Sequence, residues 1–174
     1  MSLLVLAYPD LNENDFALIQ DHRREHDSAF FDVVGPHFSF VFATQDFSEP
    51  EFIQEVMEQT AEAEKIKFVS RCATISKDGF EESYHCFLVP DKGHSNIIRL
   101  HDRLYRGKFK NNHRLDLDYI PHIAIGNSTD PLQTKNMVDQ WNKKKIEIEG
   151  KISKLTIIKY ENNVVTPRWE IQLK

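Results

Sequence analysis

The chain has 174 residues, 40% of them apolar and 11% aromatic, with a formal net charge of −5 and a pI near 5.9. That length and apolar content suit one domain with a packed core and exclude a disordered chain. The acidic balance excludes a surface for extended nucleic-acid duplex, which needs clustered Lys and Arg, but leaves room for a small local anion site.

Residues 3–8 form an apolar run closed by Pro9 and predict a buried strand. Residues 12–27 are charged, with Phe16, Leu18 and Ile19 between, and predict a helix. Pro36 opens an apolar strand over 37–43. Ser48-Glu49-Pro50-Glu51 is a helix start, with a Ser cap, early carboxylates and Pro in the first turn. That helix should reach about residue 63 and bury Phe52, Val56 and Met57. Residues 67–76 and 83–89 predict a hairpin about Lys77-Asp78-Gly79. A helix over 95–105 carries Ile97, Ile98, Leu100, His101, Leu104 and Tyr105 on one broad face and stops at Gly107. Pro121 opens a strand over 122–126, and Thr129-Asp130-Pro131 starts a helix that runs to about residue 144. Two strands, 147–160 and 166–173, close the chain around Glu161-Asn162-Asn163. Hairpins interrupt the alternation of strand and helix. The expected fold class is therefore α+β, with mostly antiparallel sheet and helices on its outer faces. No linker divides the chain, so residues 1–174 read as one domain.

One pattern repeats about half a chain apart. Gly35-Pro36-His37-Phe38-Ser39-Phe40-Val41 returns as Ile120-Pro121-His122-Ile123-Ala124-Ile125-Gly126. With strand period two, His37 shares a face with Ser39 and His122 with Ala124, while Phe38, Phe40, Ile123 and Ile125 take the other face. A single histidine on a strand is most often structural. Two Pro-His-apolar-small-apolar strands at this offset are hard to obtain from core packing alone. Two lobes, each offering one such strand, would set two imidazoles across a central cleft. Two imidazoles facing one phosphate ester can act as general base and general acid near neutral pH. A hydroxyl two residues on can hold a non-bridging oxygen. This chemistry calls for no metal and no other cofactor.

These residues resemble the 2H phosphoesterase superfamily, which includes the 2′-5′ RNA ligase-like proteins and cyclic phosphodiesterases and has two His-x-(Ser/Thr)-apolar motifs in a bilobal α+β fold. His37-Phe38-Ser39-Phe40 matches the first motif, and His122-Ile123-Ala124-Ile125 matches the second except at Ala124. The prolines before each His, the helix around Leu100-His101-Asp102-Arg103-Leu104-Tyr105 and the closing strand pair also look alike. The resemblance implies two intertwined pseudo-symmetric lobes and metal-independent opening of 2′,3′-cyclic phosphates on nucleotides or RNA ends to a 2′-phosphate, or 2′-5′ ligation and cleavage. It makes His37 the acid and His122 the base in ring opening, with roles exchanged in the reverse direction. Ser39 becomes a phosphate-binding hydroxyl. Ala124 occupies the matching position with its hydroxyl absent. The alternative is a weakened 2H fold that binds a nucleotide or RNA end without turnover. The expected partner is a nucleotide or RNA-end substrate, taken by a monomer.

Other signals compete. His22-Arg23-Arg24-Glu25-His26 spells an inverted zinc-protease motif, but no third ligand is evident and helix packing accounts for it better. Arg99, Arg103, Arg106, Lys108, Lys110, His113 and Arg114 make a basic stretch that reads as a solvated face before it reads as an RNA contact. Arg71, on the third expected strand, could reach the cleft as a substrate contact. Cys72 and Cys86 read as two buried thiols near each other across the hairpin. With no apolar run long enough for a membrane span or a secretory leader, the expected location is the cytoplasm, away from membranes.

Overall fold

The structure is a computed structural model that describes residues 2–174. In chain order its elements are β1 (Ser2–Ala7), β2 (Asp10–Leu11), α1 (Glu13–His26), β3 (Phe38–Thr44), α2 (Glu49–Thr60), β4 (Ile66–Lys77), β5 (Tyr84–Lys92), α3 (His94–Leu104), β6 (Ile123–Ser128), α4 (Pro131–Lys143), β7 (Ile148–Ile152), β8 (Lys154–Glu161) and β9 (Val164–Gln172). The strands form two sheets, ordered β3-β1-β8-β9 and β2-β7-β4-β5-β6, and their pairings are antiparallel. The expected α+β class therefore holds.

Reading the second sheet from its far edge exposes the repeat. Each sheet begins with a motif strand (β3 or β6) paired to an inner strand (β1 or β5) that precedes it in the chain by one helix. The helices cross over between the halves. α1 packs on β6, and α3 packs on β3 and α2, while α4 covers β4, β5 and β6. The chain also changes sheets twice. Tyr8 and Pro9 alone separate β1 from β2, and Ser153 alone separates β7 from β8. One apolar cluster consequently serves both sheets, and Phe38 of β3 meets Phe68 of β4 edge to face at 5.0 Å.

Local sequence explains most boundaries. The Asn12 side chain accepts the Asp15 amide at the start of α1. Ser48 and Glu51 form a capping box on α2, and Asp130 caps α4. Asn162 and Asn163 take φ of 52° and 61° and close the β8–β9 hairpin, a primed turn that Asn tolerates.

Three expectations need correction. The single strand over 147–160 is two strands in different sheets: β7 pairs with β2 and β4, β8 with β1 and β9. Its break is set by the available partners rather than by a local breaker. Met57 is largely exposed, and Glu55 turns inward instead. The Glu55 carboxylate accepts the Lys108 amide at 2.8 Å, at the head of a short 3-10 turn, Lys108–Asn112. That amide would otherwise be unsatisfied. Of the cysteines only Cys86 is buried, its thiol pushed up to about 12 by desolvation. Cys72 is exposed and lies opposite Val89, while Cys86 lies opposite Ile75, so the two do not face each other. Among the described residues no helix is long and apolar enough to cross a membrane.

Candidate active site

His37 and His122 each sit one residue before their motif strand. From Pro36 to Phe40 the chain alternates buried and half-buried, with His37 and Ser39 half-buried. Residues Pro121 to Ile125 repeat the alternation, with His122 and Ala124 half-buried. The face assignment made from strand period is thus present in both copies.

Both imidazoles make the same backbone bond. His37 Nδ1 lies 2.8 Å from the Gly35 carbonyl, and His122 Nδ1 lies 2.6 Å from the Ile120 carbonyl. A carbonyl oxygen only accepts, so Nδ1 carries the proton in each ring. Nε2 is then the nitrogen left for chemistry, selected twice by a bond to the residue two positions back. Burial lowers the pKa of both rings. That of His122 falls to about 4, with His37 and His85 adding repulsion. For His37, desolvation is again the leading cause, the Gly35 bond and Asp27 pull upward, and Arg23 pushes down. The two histidines are close enough for one charge to affect the other.

Each motif is braced from the opposite half. Arg23, on α1, is fully buried beside Asp27, with Nε and Nη2 each 2.9 Å from one carboxylate oxygen. Its Nη2 also donates to the Val34 carbonyl at 2.7 Å and the Phe30 carbonyl at 3.2 Å, and Nη1 donates to Gln20. That fastens the segment leading to His37. The other Asp27 oxygen accepts Asn127 of β6 at 2.5 Å, on the strand that carries the second motif. In the reverse direction, Tyr119, just before the second motif, donates its hydroxyl to the Ser39 carbonyl at 2.9 Å. The Phe42 amide donates to the Tyr105 hydroxyl, also at 2.9 Å. Two tyrosines thereby cover the open edge of β3, whose backbone groups lack a further strand.

Surroundings differ between the rings. His122 stacks on Phe87 of β5 at 3.5 Å and 11°, and Phe87 stacks in turn on His85 at 5.5 Å. His85 Nε2 is 2.7 Å from Asp78. In register, Phe87 lies opposite Ala124, whereas Leu6 lies opposite Ser39. The position without a hydroxyl therefore faces an aromatic residue across the ladder. His37 has Tyr8 edge-on at 6.2 Å and, among the described residues, no stacked ring.

The remaining candidates have other partners. Arg71 is exposed, its Nε on Glu147 at 2.7 Å and its Nη1 on Asp91 at 2.6 Å. Both carboxylates already use its charge. His22 and His26 are ring neighbours at 4.4 Å, and His22 rests on Trp141 at 4.9 Å, a packing role. Among the described residues, no group of three metal-capable side chains contains His22, His26, His37 or His122. In the basic stretch, Arg114 is paired with Asp116 and lies over Phe80. The bracing residues Arg23, Asp27, Asn127, Tyr119 and Phe87 were not picked out from the sequence. Only the Arg23–Asp27 helical spacing of four residues offered a local signal.

Comparison with known proteins gives a consistent family. Residues 9–164 match the family model of the 2′-5′ RNA ligase superfamily. No curated protein matches the sequence. Among solved structures, TT0787 of Thermus thermophilus aligns at a TM-score of 0.61 and 14% identity, covering 99% of this chain and 98% of that one. E. coli LigT complexed with 3′-AMP aligns at 0.58 and 12% identity, covering 99% and 96%. Kluyveromyces marxianus Usb1 aligns at 0.55 and 8% identity, covering 95% and 96%. At these identities the structures speak for the fold. With the family match extending over most of the sequence and a duplicated histidine motif in two antiparallel sheets, the chain belongs to the 2′-5′ RNA ligase superfamily, the 2H phosphoesterases.

Proposed function

We propose that this protein is a phosphoesterase that opens 2′,3′-cyclic phosphate ends of nucleotides or RNA to 2′-phosphates, with His37 and His122 as its acid–base pair. The observation that carries the reading is the repeated Nδ1 bond to the carbonyl two residues back, which leaves Nε2 of each ring available. In this reading His122 Nε2 takes a proton from water as its oxygen attacks phosphorus. The P–O3′ bond breaks, and His37 Nε2 delivers a proton to the departing O3′. Ser39 donates to a non-bridging oxygen. The product carries a 2′-phosphate and a 3′-hydroxyl, and the two rings have exchanged protonation states.

The electrostatics suit this division. His122 is pushed down to about 4 by burial and two neighbouring imidazoles, which keeps it unprotonated as a base. Desolvation lowers His37 as well, while the Gly35 carbonyl and Asp27 pull back towards its charged form. An incoming phosphodiester anion adds a further negative charge that favours protonation. The nucleotides held in the LigT and Usb1 structures, 3′-AMP, ATP and uridine monophosphate, agree with a nucleotide-sized ligand.

Ala124 favours a second reading, a binding module that retains the ligand without turnover. The two separate in one assay. Purified protein in excess chelator is given a 2′,3′-cyclic nucleotide, and the products are resolved by chromatography. The enzyme reading expects the 2′-monophosphate, with His37→Ala and His122→Ala each slower by about 10²–10⁴. Ligand-induced thermal stabilisation without product supports the module instead. Full turnover in both variants ends the assignment.

A further inference from the structure

Three potential metal ligands that include neither motif histidine gather at the C-terminal end of α3. His101, Asp102 and His113 each bring a ligand atom to within 4.8 Å of the others. His101 is 1% exposed. Its Nδ1 meets the Asp102 carboxylate at 3.0 Å, so this is the nitrogen it turns towards the group.

Packing holds both rings in place. Tyr119 stacks on His101 at 3.5 Å and 11°, and Tyr105 stacks on His113 at 4.6 Å and 12°. His113 also lies edge-on to His101 at 5.2 Å. Asp102 is 53% exposed and opens the group to solvent. The end of a helix carries partial negative charge and favours a cation. Arg114, whose charge reaches Tyr105, is neutralised by two bonds to Asp116, at 2.8 and 2.6 Å.

We propose that His101, Asp102 and His113 bind a divalent transition-metal ion, with zinc as the probe. The site uses neither His37 nor His122 and does not rest on their proposed chemistry. Two imidazoles, one carboxylate and a position for water make a donor set that zinc accepts. Bonds of about 2 Å require the ligand atoms to stand roughly 3–3.5 Å apart. The group must therefore contract, which the exposed Asp102 and the loop position of His113 allow. The ion would tie α3 to the segment ending in Tyr119, whose hydroxyl holds the Ser39 carbonyl. Its role is to stiffen the brace on the first motif.

Calorimetric titration of chelator-stripped protein with zinc chloride tests this. Wild type should take up one saturable equivalent and melt at a higher temperature with zinc present. Asp102→Asn and His113→Gln, neither at a fully buried position, should weaken binding at least about tenfold. Even an outer partner of a metal-bound histidine costs that much. His22→Gln and His37→Gln should leave binding unchanged. Absence of saturable binding, or binding that survives Asp102→Asn and His113→Gln intact, overturns the proposal. Loss of binding in either control assigns the ion elsewhere and overturns it too.

Discussion

Across the two halves, His37 and His122 keep the same bond to the carbonyl two residues back, whereas their other neighbours differ. The first motif leans on a buried ion pair, Arg23–Asp27, and keeps a hydroxyl at Ser39. The second leans on an aromatic column, Phe87 and His85, and has Ala124 where the hydroxyl would be. What the halves share is the bond that leaves Nε2 of each ring free. What they do not share is the field around each ring. A pseudo-symmetric pair can thus be given unequal roles without any change in the motif backbone.

Removing the ionic brace should have the largest effect on stability. Arg23→Met leaves Asp27 buried without its charge partner, a loss of about 3–5 kcal/mol, readable from urea unfolding. Tyr119→Phe, which removes one neutral hydrogen bond from the other brace, should cost only about 1 kcal/mol. Equal losses would mean that the ion pair holds the first motif no more firmly than a neutral hydrogen bond does.

The motif hydroxyls come next. Ser39→Ala should slow ring opening by as much as about 10²–10³ if the hydroxyl acts on developing charge. Ala124→Ser should raise the rate by less, because Phe87 lies across the ladder from that position. If Ala124→Ser is silent and Ser39→Ala is also silent, neither half holds phosphate through this position. Phe87→Leu keeps an apolar side chain but removes the stacked ring, an interaction of about 0.5–1.5 kcal/mol, so turnover should fall up to about tenfold. Tyr8→Leu beside His37 should do less, since that ring is edge-on and farther away.

The smallest effect concerns pH. Both motif imidazoles are pushed below 6.5, His122 to about 4. The base must be deprotonated and the acid protonated in the free enzyme. The profile of kcat/KM should therefore rise with pH near 4 and fall again below 6.5. A bell centred above 6.5 would contradict the desolvated environment.

The sequence carried the strand faces, the paired histidines and the missing hydroxyl, because period two and repetition are local properties of the chain. Helix starts were legible for the same reason: Asn12, Ser48 and Asp130 cap where their neighbours say they should. What escaped depends on partners distant in sequence. Arg23 looked like part of a charged helix face, yet it is buried because Val34 and Phe30 turn their carbonyls back onto it. Tyr119 sat in a polar stretch with no signal, and its role exists only because β3 is an edge strand. Glu55 displaced Met57 from the interior because an amide far along the chain needed an acceptor.

The central claim is that the two motif histidines work as one unit, and a double-mutant cycle on ring opening tests it most directly. Turnover of a 2′,3′-cyclic nucleotide is measured in excess chelator for wild type, His37→Ala, His122→Ala and the double variant. Acid and base acting in one step should make each single loss large and the double loss little worse than either, as for residues that act as a unit. Losses that multiply in the double variant would contradict the account, because the two histidines would then be acting independently.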